Sequence, residues 1–465
     1  MKTGWVWRDG HPRWLILIGA GVVCGFIAGV GLLVRASGHE HPTANLRSAQ
    51  KIILMTIDAL RADRLGCYGY KGAETSPTID TWARGALLFE RAYAQAPWTV
   101  PSMGSLMSGR DPRETGAYTN TGDIVSKEET LAEQLQRLGY RTAFFNTNPV
   151  LLRPGISRGF ESVGPPATGK KIPYSSVEPL VMQWLDAHAQ DKFFLWIHDM
   201  DTHSPPTEGN PYLTKQGWSR YDAEVRWVDE AVARLFAELD ALGIREQVLF
   251  IFTADHGEAF GEHVLSGHQD VMYDEVLRVP LIVRQPGMAH TGRSAEPVQV
   301  LDLHPTIAEF AGVPARTTGR GESLVPITAS DNAHVKHPYV FSARYYFAAD
   351  RVDPKSGKVL FARGQHQLAV HDREWKLFAK VAATSLQPTE PPDWNTAAQP
   401  ATYELYDLTA DPLEQHDVFA SQPQVVTRLE QVLAEWKQLT SGGPKSTHTE
   451  LDPATREALH ALGYD

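Results

Sequence analysis

Cysteine is nearly absent: Cys24 and Cys67 are the two in 465 residues. One lies in an apolar N-terminal stretch and the other far outside it, so no disulfide framework staples this fold. No CxxC pair offers a zinc or redox site either. Basic runs are also missing. Lys+Arg 44 against Asp+Glu 55 leaves a net charge of −11, and such an acidic chain without a basic run is not built to grip nucleic acid. Internal repeats and low-complexity segments are absent, and the composition is far from disordered or collagen-like. What remains, with 42% hydrophobic residues, is a globular chain of enzyme size with ample apolar content for a core.

One stretch lacks charge altogether. From Trp14 to Val34 no charged residue occurs, and at ~1.5 Å per residue such a helix crosses a hydrocarbon core of about 30 Å. Lys2, Arg8 and Arg13 precede it while only Arg35 follows closely. The positive-inside rule therefore puts residues 1–13 in the cytoplasm, 14–34 through the inner membrane and the remainder in the periplasm. The alternative is a cleaved signal peptide with Val34-Arg35-Ala36 at the cut, for which the apolar run is long. Gly21, Gly25 and Gly29 recur every four residues, a spacing that lets two anchors pack as a dimer. Residues 35–50 are polar and aperiodic, a tether.

Beyond Lys51, short apolar runs alternate with amphipathic stretches. The runs IILMTI (52–57), YRTAFF (140–145), FFLWIH (193–198), VLFIFT (248–253) and PLIV (280–283) suit strands buried on both faces, as in a parallel sheet. Between them, Ser126 with Glu129 makes a capping box for a helix carrying Leu131, Leu135 and Leu138, stopped by Gly139. Val225, Val228, Val232, Leu235, Leu239 and Leu242 form a second helical stripe before Gly243. The expected fold class is α/β, a mostly parallel sheet sandwiched by helices over residues 51–320. A smaller α+β subdomain spans 321–440, with strands in 337–347 and 373–380 and a helix near 423–439. The tail 441–465 carries a short helix opened by Asp452-Pro453 and ended at Gly463.

In open α/β sheets, ligands bind beyond the carboxyl ends of the strands. Three polar clusters sit at such ends: Asp58; His198-Asp199-Met200-Asp201-Thr202-His203; and Asp255-His256-Gly257-Glu258. A lone Asp after a strand is ordinarily a turn or cap residue, but three carboxylate–imidazole clusters on one edge make the ligand set of a divalent cation. Thr99, in Ala96-Pro97-Trp98-Thr99-Val100-Pro101-Ser102, stands just before a helix N-terminus, where free N–H groups favour an anion.

These segments, together with IILMTIDALRADRLGCYGY, APWTVPSMGSLMSGRDP, IHDMDTHSPP, FTADHGEAFGEH, YDEVLRVPLIV and ELYDLTADPLEQHD, resemble the successive signatures of the sulfatase family in the alkaline-phosphatase superfamily. They run in family order across nearly the whole soluble part. Sulfatases carry a Cys or Ser converted to formylglycine, and here that position is Thr99, so no formylglycine is expected. The Arg that usually follows is Met103, the second Asp of the acidic pair is Ala59, and the Lys-x-His segment has no counterpart near Asn146-Thr147-Asn148. Threonine is the nucleophile in phosphoryl- and phosphonyl-transferring relatives of the superfamily.

The resemblance implies Asp58, Asp255 and His256 as metal ligands, with the Thr99 hydroxyl completing the site and manganese, zinc or calcium as the ion. His203 would contact the transferred group and His268 would protonate the leaving group. A second metal on Asp199, His203 and His268 is the two-metal variant, with His263 competing for the last place. Arg61 and Asp63 shape their loop; Trp98, Trp196 and Trp227 pack; Glu258 and Glu262 solvate a loop; His304 is a surface residue. The expectation is a membrane-anchored, extracytoplasmic, metal-dependent hydrolase of phosphate or phosphonate esters acting through Thr99. Alternatives are a sulfate-ester hydrolase without formylglycine, an envelope transferase of phosphoryl head groups, and a non-catalytic anion-binding scaffold. The organic part of the anionic ester would be set by loops such as 155–176 and 345–365.

Overall fold

The computed structural model describes residues 49–440 apart from 126–127, 166–170, 264–266, 269–270, 289, 314–318, 331–332, 337, 346–364 and 383–400. The expected anchor at 14–34, the capping residue Ser126 and the last helix opened by Asp452-Pro453 lie outside the described residues. Among those described, no helix is long and apolar enough to cross a membrane.

Eight strands form the main sheet: β1 (Lys51–Ile57), β2 (Leu87–Tyr93), β3 (Arg141–Asn146), β4 (Ser162–Gly164), β5 (Phe193–Asp199), β6 (Val248–Ala254), β7 (Arg278–Arg284) and β8 (Gly292–Gln299). Their order is β4-β3-β5-β1-β6-β7-β2-β8. All neighbours pair parallel except where β7 runs against β6 and β2. Every residue of β1, β5 and β6 is buried. That is the physical meaning of their unbroken apolar runs, because a central strand covered on both faces has no solvent side to alternate with. The helices that cover it touch in two sets: Thr99–Ser108 with Leu131–Arg137 and Leu303–Phe310, and Pro77–Ala83 and Glu178–His188 with Arg220–Ala241.

The PLIV run is the antiparallel β7, and β2, β4 and β8 escaped the sequence pattern. β2 carries Glu90 and Arg91 in its middle, and β8 begins GRSAEP, so neither reads as a continuous apolar run. The helix Leu131–Arg137 is capped by Thr130, whose hydroxyl accepts from the Glu133 N–H while the Glu133 side chain returns to the Thr130 N–H. The expected Ser126–Glu129 box is thus displaced by one turn. Gly139 and Gly243 adopt φ of 83° and 69°, stopping their helices where a left-handed residue is required.

A second, antiparallel sheet, ordered β12-β11-β10-β9, is built from β9 (Val340–Arg344), β10 (Gln365–His371), β11 (Trp375–Ala382) and β12 (Thr402–Asp407). The helix Pro423–Leu439 packs its Val426, Leu429, Leu433 and Trp436 against this sheet's own small core. Two bonds dock the sheet on the chain just after β2: the Ala343 N–H donates to the Gln95 carbonyl at 2.8 Å and the Ser342 hydroxyl to that of Ala94 at 2.7 Å.

A buried ion cluster clamps the same junction. Lys376 on β11 is fully buried, and its Nζ reaches Asp274 Oδ1 and Glu414 Oε1, each at 2.9 Å. Removing the ammonium strands two carboxylates in the interior. Lys376→Met should therefore lower stability by about 3–5 kcal/mol, read as a shift in denaturant midpoint; an unchanged midpoint would show that the cluster contributes nothing.

Candidate active site

β1 lies between β5 and β6 with all three ending level. Ile57 pairs with Asp199 on one side and Ala254 on the other, so Asp58 and Asp255 leave adjacent strand ends together. The turn after β1 is tight. Ala59 adopts φ of 57°, unusual for a residue with a β-carbon, and its N–H donates to Asp255 Oδ1 at 3.0 Å. The position where the family places a second Asp thus contributes only backbone.

Asp58, Asp255 and His256 are fully buried, and each offers a ligand atom such that all lie within 4.8 Å of one another. His256 Nε2 is 3.4 Å from Asp255 Oδ2 and 3.8 Å from Asp58 Oδ1. One oxygen of each carboxylate is occupied. Asp58 Oδ2 accepts from Asn148 Nδ2 at 2.5 Å and His198 Nε2 at 3.3 Å, and Asp255 Oδ1 accepts from the N–H of Ala59 and of His256. The other oxygen of each, Asp58 Oδ1 and Asp255 Oδ2, is buried with no hydrogen bond. An unsatisfied buried polar atom costs roughly 1–3 kcal/mol, and two of them beside one imidazole nitrogen fit a divalent cation. His256 Nδ1 donates to the Gly257 carbonyl at 2.9 Å, which leaves the Nε2 lone pair to ligate.

Electrostatics divide the carboxylates. Burial works against the Asp58 charge, yet His203, the hydrogen bond from His198 and the charge of His256 hold its carboxyl well below the usual range. Burial, and then the Asp58 charge, push Asp255 up to about 8. Without a cation the pair keeps one proton, as two close carboxylates must.

Thr99 opens the helix Thr99–Ser108 as its first residue rather than standing before it, because Trp98, extended at φ −143°, takes the cap position. Pro101 falls in that first turn, where its missing N–H costs nothing. The Thr99 hydroxyl is buried, 3.4 Å from His256 Nε2, and the Ser102 hydroxyl donates to the Asp255 carbonyl at 2.7 Å. The helix N-terminus and the ligand cluster are therefore one unit.

Three imidazoles form an array. His268 stacks on His256 with centroids 4.0 Å apart, and His203 meets His268 edge-on at 5.5 Å. Each Nδ1 faces a carbonyl: Gly257 for His256, Ser204 for His203 at 2.6 Å, Pro97 for His268 at 2.6 Å. Burial lowers the pKa of all three, and His256 and His203 push that of His268 further, well below its ordinary value. Asp199 faces another way. Its Oδ1 accepts from the Asp201 N–H, and burial with Asp201 beside it raises its pKa. Among the described residues Asp58, Asp255 and His256 are the grouping with metal-holding spacing; Asp199, His203 and His268 are not gathered in that way.

The remaining candidates have structural partners. His263 is bonded through both ring nitrogens, to Glu275 and to the Glu414 carbonyl, and stacks on Tyr273 at 3.6 Å. Arg61 grips Asp63 with two bonds and reaches Glu262 at 2.7 Å, which does shape the loop. Trp196 stacks on Phe144, Trp98 is buried, and Trp227 hydrogen-bonds Asp201. Two expectations need correction. Glu258 does not solvate its loop: it is buried, and burial followed by the Asp58 charge pushes it up to about 8. His304 is not a surface residue. Its Nδ1 donates to the Leu106 carbonyl, and its ring fills the space beside Gly109, where a β-carbon would come within 2.9 Å.

His198 belongs to a cluster read from sequence but was given no role there, and Asn148, just past β3, was named only in the segment that lacks the family's Lys-x-His. His198 is oriented by a chain in which Trp196 Nε1 donates to the Thr56 hydroxyl and that hydroxyl bonds His198 Nδ1 at 2.7 Å. A cavity of about 460 Å³ opens beside the cluster, with Thr202, His203, Glu258, Phe260 and Tyr221 in its wall.

A mostly parallel sheet thus gathers carboxylates, imidazoles and a hydroxyl at its carboxyl edge, where α/β enzymes bind their ligands. Residues 50–313 match the family described as Sulfatase, and the chain belongs to it. Residues 261–377 match the region described as N-sulphoglucosamine sulphohydrolase, C-terminal. Arylsulfatase A of Homo sapiens is 26% identical, over 88% of this chain and 92% of that one. The N-acetylgalactosamine-6-sulfatase of Canis lupus familiaris is 27% identical over 59% of this chain and 65% of its own. The phosphonate monoester hydrolase of Agrobacterium radiobacter shares the fold with a TM-score of 0.64 at 18% identity, covering 86% of this chain and 100% of that one. These homologues are ester hydrolases acting on sulfate or phosphonate esters, and the enzymes of the family are metal-dependent.

A saturating divalent cation at about 100 Kd should stabilise the protein by about 2.7 kcal/mol, read as a rise in Tm. Asp255→Asn should lose both the bound metal and that rise. Unchanged metal stoichiometry in the variant would remove Asp255 from the ligand set.

Proposed function

We propose that this chain is a metal-dependent hydrolase of phosphate or phosphonate esters with Thr99 as its nucleophile. The observation that carries it is the Thr99 hydroxyl, buried at a helix N-terminus 3.4 Å from His256 Nε2, in the position the family fills with a modified Cys or Ser. Oxidation of threonine's secondary alcohol would give a ketone, so Thr99 cannot become the hydrated aldehyde through which sulfatases release sulfate. It can attack phosphorus.

Asp58, Asp255 and His256 would hold manganese, zinc or calcium, which would supply a Lewis acid and lower the pKa of the hydroxyl. Thr99 Oγ1, its proton released to water, attacks the phosphorus as the bond to the leaving oxygen breaks, with the helix N-terminus facing the anion. His203 lies against the transferred group. His268 is neutral before substrate arrives; the anionic charge of the ester offsets its burial and lets it take up the proton that it passes to the leaving oxygen. Water then attacks the phosphothreonine and regenerates the hydroxyl. Residues 14–34 would tether the enzyme outside the cytoplasm, with the glycine repeat available for pairing two anchors. The names of the curated relatives favour a second reading, a sulfate-ester hydrolase, which would have to hydrolyse a threonine sulfate directly.

Matched aryl phosphate, aryl phosphonate and aryl sulfate separate the two readings. Metal-dependent turnover of the phosphorus esters is expected, falling by more than about a thousandfold in Thr99→Ala while metal content is kept. A fully active Thr99→Ala enzyme, or preferred sulfate cleavage, would overturn the proposal.

A further inference from the structure

The cavity beside the cluster is the room left for the organic part of the ester. His203 stands in its wall, and so does Gly267, the neighbour of His268. Its apolar side is made by Pro206, Ala259, Phe260 and Tyr221. The Tyr221 hydroxyl is already engaged, donating to the Ala59 carbonyl at 2.6 Å and accepting the Arg61 N–H at 2.8 Å, so its ring alone is left to meet a ligand. Phe260 packs on that ring with centroids 4.7 Å apart and is still 40% exposed. Aromatic surface left bare at the wall of such a cavity suits the flat or apolar body of a substrate.

Two arginines add charge that the protein does not neutralise. Arg220 is the first residue of the helix Arg220–Ala241, where the helix dipole disfavours a cation, so fold stability does not account for it. Among the described residues, no ion pair or hydrogen bond engages its guanidinium, and it lines the cavity. Arg64 lies over the Phe260 ring at 5.4 Å and is loosely held. Asp63 and Asp222 stay 4.0 and 3.9 Å away, the Tyr70 hydroxyl accepts from Nη1 at 3.3 Å, and Nε is buried with no hydrogen bond.

The nearby acids are engaged elsewhere. Asp63 holds Arg61 with two bonds, and Asp222 serves the Ser219 cap and accepts from the Tyr70 hydroxyl. Glu224, in the cavity wall, accepts from the Thr207 N–H at 2.6 Å and from Asn210 Nδ2 at 3.0 Å, one bond to each oxygen. In a chain of net charge −11, two uncommitted guanidiniums on one cavity are an exception with a direction.

We infer that the organic part of the substrate carries a second anionic group, a carboxylate or similar oxyanion, received by Arg64 and Arg220 as specificity residues while Phe260 and Tyr221 cover the apolar body between the two charges. Guanidinium matches such a group in both charge and fork geometry. The inference rests on the ester-hydrolase reading of this site, and it holds whichever atom, phosphorus or sulfur, is attacked.

Para-carboxymethylphenyl phosphate and para-hydroxyethylphenyl phosphate test it, since their phenols are of similar acidity and they differ in charge at the far end. Affinity is read by calorimetry on metal-loaded Thr99→Ala protein, and kcat/KM on the wild type. The anionic ester should be favoured by about tenfold in both at low ionic strength, and the advantage should shrink as salt rises. Arg64→Gln combined with Arg220→Gln should abolish the advantage while Tm, metal content and handling of the neutral ester are kept. Arg220→Gln alone, at an exposed position, should remove a large part of it without touching the core. Equal affinity for the two esters, preference for the neutral one, binding of neither, or an advantage that survives the double variant would overturn the inference. Failure of the threonine reading shows separately, as turnover of both esters retained in Thr99→Ala.

Discussion

Two carboxylates brought face to face inside the protein set the terms for everything around them. Parallel pairing of β1 with β5 and β6 makes Asp58 and Asp255 leave the sheet side by side, and burial removes the water that would otherwise screen them. The fold answers by occupying one oxygen of each with fixed donors and aiming the other at His256 Nε2. What is left is a compact buried pocket with the spacing to hold a divalent cation. The αL turn at Ala59 follows from the same demand, since it turns the N–H that holds Asp255 back toward the strand ends.

Around that centre the permanent positive charge stands one step back: Lys171 Nζ donates to the carbonyls of Asp201, His203 and Pro205 rather than to the paired carboxylates. The imidazoles are buried and held neutral, each pinned through Nδ1 to a carbonyl. The helix beginning at Thr99 adds partial charge from its N–H groups. A site of this kind suits a substrate that brings its own charge. The second sheet does not supply these groups; it braces their frame. Lys376 and His263 both reach across to it or from it, and Glu414 is the shared partner.

Much of the frame was legible because the central strands have no polar face. IILMTI, FFLWIH and VLFIFT could hardly be anything but covered strands, and the polar residues closing them were readable as one functional edge. The outer strands were not legible. β2 and β8 carry Glu90, Arg91 and Glu296 amid apolar residues, and their pairing is decided by tertiary contact. Burial of isolated polar residues was equally hidden: Glu258 and His304 read as loop and surface groups because the residues that cover them lie far away in sequence. Asn148 belongs to no spacing pattern at all. Its position follows from where the loop after β3 returns, which only the folded chain records.

The central claim is a covalent one, that the phosphorus of the ester passes through Thr99. Metal-loaded enzyme in excess over an aryl phosphate labelled in its phosphoryl group, quenched in acid during a single turnover and digested, tests it most directly. Label on the peptide that contains Thr99, absent from Thr99→Ala, is the predicted result. Product released at the same rate while the enzyme remains unlabelled would mean that water attacks the ester directly, and would contradict the account.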